Sequence, residues 1–186
     1  MPNWCNNGIT LRHADPAMID RAMNAKNGLL MEFIPTPKPL LETMAGSFGD
    51  GDKQRKLEEQ EAENLKVFGF KNWYDWNIAN WGTKWDFALE NIDREDPNTV
   101  TAAFDSAWAP PIDAYAKLEA LGFEVKAMYY EPGMAFVGKY ADGCDECIEY
   151  SAYTADTVRE AIGAELDDYF GISEEMAQYD EEDLEE

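Results

Sequence analysis

Two stretches of period-two alternation, each running into a proline-opened helix, constrain this chain more than any other feature. In residues 5–11, Cys5, Ile9 and Leu11 fall on one face, and Asp15-Pro16 then supplies the N-cap and first-turn residue of a helix. Val100, Ala102 and Phe104 likewise share a face. Beyond them Pro110-Pro111 opens a helix whose inward row is Tyr115, Leu118 and Leu121, closed by Gly122. Strands with one apolar face and helices with one apolar stripe must bury these against each other, which predicts a helix-covered sheet of the α+β class.

The remaining segments fill in that frame. The first helix, over residues 15–26, carries Met18, Ile19, Ala22 and Met23 inward and stops at Asn27-Gly28. Residues 29–34 form a short apolar run closed by Pro35 and Pro37, the pattern of a buried strand. Residues 36–52 are rich in glycine and proline and predict an irregular insertion; residues 53–66, with little beyond Leu57 and Leu65 that is apolar, predict a solvated helix. Residues 72–81 predict a second inserted helix, buried through Trp73, Tyr74, Trp76 and Trp81. Trp85, Phe87 and Leu89 share one face of a strand. Residues 123–130 and 134–140 read as strands joined by Glu131-Pro132-Gly133, residues 148–153 as a further strand, and Thr154 as the cap of a helix running to Gly171. The helices at 15–26, 110–121 and 155–170 are expected mainly on one side of an antiparallel-rich sheet. One domain over residues 1–172, with a helical insertion at about 53–81 and an acidic tail at 173–186, is the expected organisation.

With 186 residues and 45% hydrophobic content, the chain can bury a core without disulfide staples. Charge is the extreme property: 15 Lys and Arg against 38 Asp and Glu give a net charge of -23. Such a surface repels phosphate backbones and anionic lipid, so neither nucleic acid nor a membrane is expected as a direct partner. A protein partner with a basic surface is expected instead, although acidity also serves solubility. No apolar run approaches a membrane span, and the N-terminus lacks the basic start and apolar stretch of a secretory signal. Three cysteines, two of them close together, do not make a secreted disulfide framework, and a reducing cytoplasm is the expected compartment.

Few residues offer chemistry. Cys144 and Cys147 have the spacing of half a zinc site, but the other candidates, Cys5 and His13, lie about 26 Å apart along one strand at ~3.3 Å per residue. That span keeps both from reaching one metal, and it also separates the one histidine from a Cys5 nucleophile. No glycine-rich phosphate loop is present, so no cofactor is expected. The cluster Trp73, Trp76, Trp81 and Trp85 fits a helix-on-sheet core, a stacking platform for bases, or a protein-docking patch.

Three motifs carry a family resemblance: Asn3-Trp4-Cys5-Asn6 after Pro2, Trp81-Gly82-Thr83-Lys84-Trp85-Asp86, and the stretch from Phe104 through Trp108 to Pro110-Pro111. Together they resemble the YubB-like proteins of phages, prophages and conjugative plasmids. The resemblance covers residues 1 to about 140 and implies a ferredoxin-like domain and a mobile-element origin; it implies no reaction. The acidic C-terminus and the Cys144/Cys147 pair depart from that pattern.

From resemblance and charge together, the expectation is a non-enzymatic accessory protein that binds a host protein, inhibiting a defence or nucleic-acid-handling factor through a DNA-mimic-like acidic surface. An enzyme or metal-binding protein using Cys144 and Cys147, and a virion component, are the alternatives. The mimic face would be Glu174, Glu175, Asp180, Glu181, Glu182, Asp183, Glu185 and Glu186. As a helix these eight charges in 14 residues lie one per ~2.6 Å, against ~1.7 Å for duplex DNA. Like-charge repulsion predicts that this tail is disordered until bound.

Overall fold

Alternation and proline punctuation place the strands. In chain order, a computed structural model of the protein, describing residues 3–185, has β1 (Trp4–His13), α1 (Pro16–Met23), α2 (Leu29–Phe33), α3 (Lys38–Leu41), α4 (Asp52–Phe68), α5 (Trp73–Trp81), β2 (Glu90–Asp96) and β3 (Thr99–Ala107). There follow α6 (Ile112–Ala120), β4 (Phe123–Glu131), β5 (Phe136–Ala141), β6 (Cys144–Glu149), α7 (Ala155–Ile162), α8 (Ala164–Phe170) and α9 (Ile172–Glu185). The fold is α+β: one antiparallel sheet of six strands in the order β2-β3-β1-β4-β5-β6.

Helices cover both faces, which corrects the expectation of a mainly one-sided arrangement. Successive strand residues point to opposite faces, and β4 and β5 carry large apolar residues on both. Ile9, Leu11, Val100, Ala102, Phe104, Val125 and Ala127 meet Ile19, Leu30, Trp81, Tyr115 and Leu118 in the larger core. Tyr130 and Val137 point the other way and form a second core with Val158, Ile162, Leu166 and Ile172. The two cores share the sheet between them.

Several local expectations give way to tertiary context. Residues 29–34 are not a strand but the short helix α2. The Asp86 carboxylate accepts from Leu30 N at 2.8 Å and Met31 N at 2.7 Å, capping that helix from outside. Gly28 takes φ +101° there, and a Cβ on it would run into the same carboxylate. Burial raises the pKa of Asp86, opposed by its backbone bonds to Met31, Leu30 and Phe87. Residues 85–89 are irregular and the edge strand starts only at Glu90. The expected strand at 148–153 lies instead at Cys144–Glu149. Helix α5 buries Asn77 and Trp81 but leaves Tyr74 and Ile78 exposed, so it is less enclosed than its aromatic content implies. Leu121 is exposed beyond the end of α6. The helix expected over 155–170 breaks at Gly163, whose φ of +87° splits it into α7 and α8.

The boundary expected between residues 172 and 173 falls inside α9. Ile172 is buried, and Asp167, only 3% exposed, holds the first turn. Its Oδ1 accepts from Ser173 N and its Oδ2 from Ser173 Oγ and Arg159 Nη1, each at 2.8 Å. Burial alone would raise the pKa of this carboxyl, but the bonds from Arg159 and Ser173 outweigh it and hold it low. A carboxyl depressed on folding adds stability above its unfolded pKa, and that contribution disappears as pH falls through the folded value. Asp167→Asn is therefore expected to flatten the loss of stability below about pH 4, read by denaturant unfolding across pH. An acid limb as steep as the parent's would contradict this anchoring.

Candidate functional site

The three motif segments, far apart in sequence, meet at one end of the sheet. Pairing of β1 with β3 sets Trp4 opposite Ala107, and Trp108 N extends the ladder by donating to Asn3 O at 3.0 Å. The middle motif is tied to the same place: Thr83 Oγ1 donates to Ala107 O at 3.1 Å, and Asn77 Nδ2 donates to Lys84 O at 3.0 Å. Beneath them Asn7 Nδ2 donates to Ser106 Oγ at 2.9 Å, and Ser106 Oγ donates to Ala109 O at 2.8 Å. This polar net fixes the turn that carries Trp108, which sits at φ +72°. For a bulky residue such a conformation costs ~1–3 kcal/mol and persists only where the surroundings hold it.

Burial divides the motif residues into two groups. Cys5, Trp81, Thr83, Pro110 and Pro111 are buried, Gly82 and Asp86 partly so, and these support the junction. Trp81 is 2% exposed and its Nε1 donates to Ile34 O at 2.9 Å. Trp4, Trp85 and Trp108, by contrast, are 46%, 39% and 49% exposed. Trp4 and Trp85 lie with ring centroids 6.1 Å apart, and Lys84 Nζ stands 4.2 Å from the Trp85 centroid and 6.0 Å from that of Tyr74. Tyr74, Lys84, Trp85 and Trp4 thus make one continuous aromatic strip with a single cation laid across it. Of the cluster singled out in the sequence, Trp73 and Trp76 stay with α5, Trp76 packing edge-on against Trp81. Trp4 did not belong to that cluster; it meets Trp85 only in the fold, where the end of the β1–β3 ladder lies against the 81–86 segment.

A cavity of about 330 Å³ adjoins this junction, walled by Gly82 and Pro110 on one side and by Tyr129, Phe136, Asp145 and Cys147 on the other. Tyr129 Oη donates to Asp145 Oδ1 at 2.6 Å. Burial, then that bond, raise the pKa of the Tyr129 hydroxyl and keep it protonated. On the opposite face of the sheet lies a groove of about 740 Å³ over β3, β1 and β4, walled by Tyr169 of α8. Its lysines are already engaged: Lys139 Nζ bonds Glu165 at 3.0 Å and Lys126 Nζ lies 3.5 Å from Glu124. The groove holds none of the motif residues.

Other candidates are kept apart. Cys144 and Cys147 lie in β6, the second strand of the β5–β6 hairpin, and a spacing of three along a strand turns their side chains to opposite faces. Cys5 is buried, and burial pushes its thiol up to about 12. His13 sits at the far end of β1, its Nδ1 accepting from Asp15 N at 3.0 Å and its ring 4.9 Å from Phe123. Among the described residues no three His, Cys, Asp or Glu side chains are grouped to hold a metal ion. Of the acidic tail, Glu174 is exposed, whereas Glu175 turns inward and accepts from Tyr130 Oη at 2.8 Å. The side chains of Asp180, Glu181, Glu182, Asp183 and Glu185, and the whole of Glu186, lie outside the described residues.

No family model matches the chain, and the comparison with curated proteins gives no match. Among solved structures, the chain is similar to the crystal structure of a protein api92 from Yersinia pseudotuberculosis, of the family model DUF1281. The TM-score is 0.45 at 14% identity, covering 82% of this chain and 99% of that one.

Proposed function

We propose that the protein is a non-enzymatic accessory protein of a phage or related mobile element, acting in the host cytoplasm by binding a host protein with a basic surface. The observation that carries this is the meeting of the half-exposed Trp4 and Trp85 rings over a buried junction, with the equally exposed Trp108 on the turn next to it. Tryptophan dominates binding hot spots because it offers a large contact area at a small entropy cost, and a preformed patch avoids the cost of ordering. The net charge of -23 supports a basic partner and disfavours nucleic acid as a direct ligand. The target class is a defence or nucleic-acid-handling factor, whose basic surface is already built to accept a polyanion. The strand order β2-β3-β1-β4, with helices between β1 and β2 and between β3 and β4, supports a ferredoxin-like reading of the central unit. Among the described residues no helix is long and apolar enough to cross a membrane.

The test is capture from host lysate with the tagged full chain at low and high salt. A specific basic protein retained at low salt and depleted at high salt is the expected result. Recovery of no specific protein at either salt concentration would overturn the proposal.

A further inference from the structure

The sheet has two free edges, and they are built differently. At β2 the register with β3 shifts twice, between Glu90 and Asp93 and between Asp93 and Asp96, which blunts that edge against pairing. At β6 the register with β5 runs without interruption from Ala141 opposite Cys144 to Phe136 opposite Glu149, and the strand is exposed along nearly its whole length.

The orientation of its backbone groups follows from two observations. Tyr150 N donates to Ala135 O at 2.8 Å in the same register, and Asp142-Gly143, at φ +52° and +74°, forms the two-residue turn that closes on a hydrogen-bonded pair. Alternation then turns the N–H and C=O of Cys144, Glu146 and Ile148 toward β5, and those of Asp145, Cys147 and Glu149 outward. An incoming strand would meet three consecutive outward sites. Its inward-pointing side chains would reach the adjoining cavity, which combines the carboxylates of Asp113 and Asp145 with the apolar walls of Pro110, Ile112 and Phe136. That combination suits an aliphatic stem ending in a cation. Residues 141–149 contain four carboxylates (Asp142, Asp145, Glu146 and Glu149) and no basic residue, so a second copy of this edge is repelled.

We infer that β6 accepts an extended, Lys/Arg-bearing segment of the partner as a seventh strand, with one basic side chain lodged in the cavity between Asp113 and Asp145. This rests on the reading that the partner is basic, and it deepens that reading by naming the shape recognised. The probe is a nine-residue peptide alternating Arg with Val and Thr, titrated into the full chain. Binding should slow amide exchange at Asp145, Cys147 and Glu149 while leaving Glu146 and Ile148 nearly unchanged. Cys147→Pro removes an outward N–H without taking a bond from β5, and should weaken the peptide at least tenfold. As a control that alters nothing in the protein, N-methylation of alternate peptide amides keeps the charge and should weaken binding as much. Asp113→Asn should weaken it severalfold. Binding indifferent to N-methylation would overturn the strand addition while leaving the basic-partner reading intact, as would no peptide binding alongside salt-sensitive capture of a basic protein. Failure of the reading itself would appear separately, as the loss of that capture.

Discussion

Trp81→Ala is expected to lower the unfolding free energy by about 3–5 kcal/mol, whereas Trp85→Ala, four residues on in the same motif, should change it by less than about 1 kcal/mol. The first indole is 2% exposed in the larger core, donates to Ile34 O and packs edge-on against Trp76 at 5.8 Å. Its removal leaves a cavity, a half-buried carbonyl without its indole donor and a lost aromatic contact together. The second indole meets Trp4 and the Lys84 ammonium and is otherwise 39% exposed. Domains of this kind have about 5–15 kcal/mol in all, so the first substitution brings the chain close to unfolding. Urea denaturation of the two variants in parallel makes the comparison. Equal losses would mean that both tryptophans are structural and would remove Trp85 from the docking surface.

That division was only partly legible in the sequence. Strands β1 and β3 could be read because their alternation is clean and proline fixes where α1 and α6 begin. The run at 29–34 could not, because a short apolar segment fits a strand or a buried helix equally, and the deciding contact comes from Asp86, more than fifty residues away. The two-sided packing was hidden for a related reason. Tyr130 and Val137 look like strand residues wherever they point, and only the pairing of β4 with β5 turns them onto a second core with α7 to α9. The same core reclaims Glu175 and the first turn of α9 from what composition alone presents as a solvated tail. At the site, motif spacing identified Trp81 to Asp86 as a unit but could not say which of its tryptophans faces water. Nor could it place Trp4 beside Trp85, since that proximity is made by the fold around the end of the β1–β3 ladder. The open edge at β6 was obscured because its cysteines invited a metal reading and the strand there was expected four residues later, at 148–153.

The patch carries the functional proposal, and its effect should be large. Hot-spot tryptophans lose ~2 kcal/mol or more on truncation to alanine, and the contact between Trp4 and Trp85 makes the two losses coupled. The double variant Trp4→Ala/Trp85→Ala is therefore expected to weaken partner binding by ~100-fold or more. Its fold should remain intact, because both rings are already substantially exposed. Salt should weaken parent and variant in parallel, since the charges that steer association lie elsewhere on the surface. The decisive measurement is calorimetric titration of the captured host protein into the parent chain and into this double variant, each first shown to unfold at a similar denaturant concentration. An affinity reduced ~100-fold with stability retained is the predicted result; an unchanged affinity in the folded double variant would contradict the tryptophan patch as the docking surface.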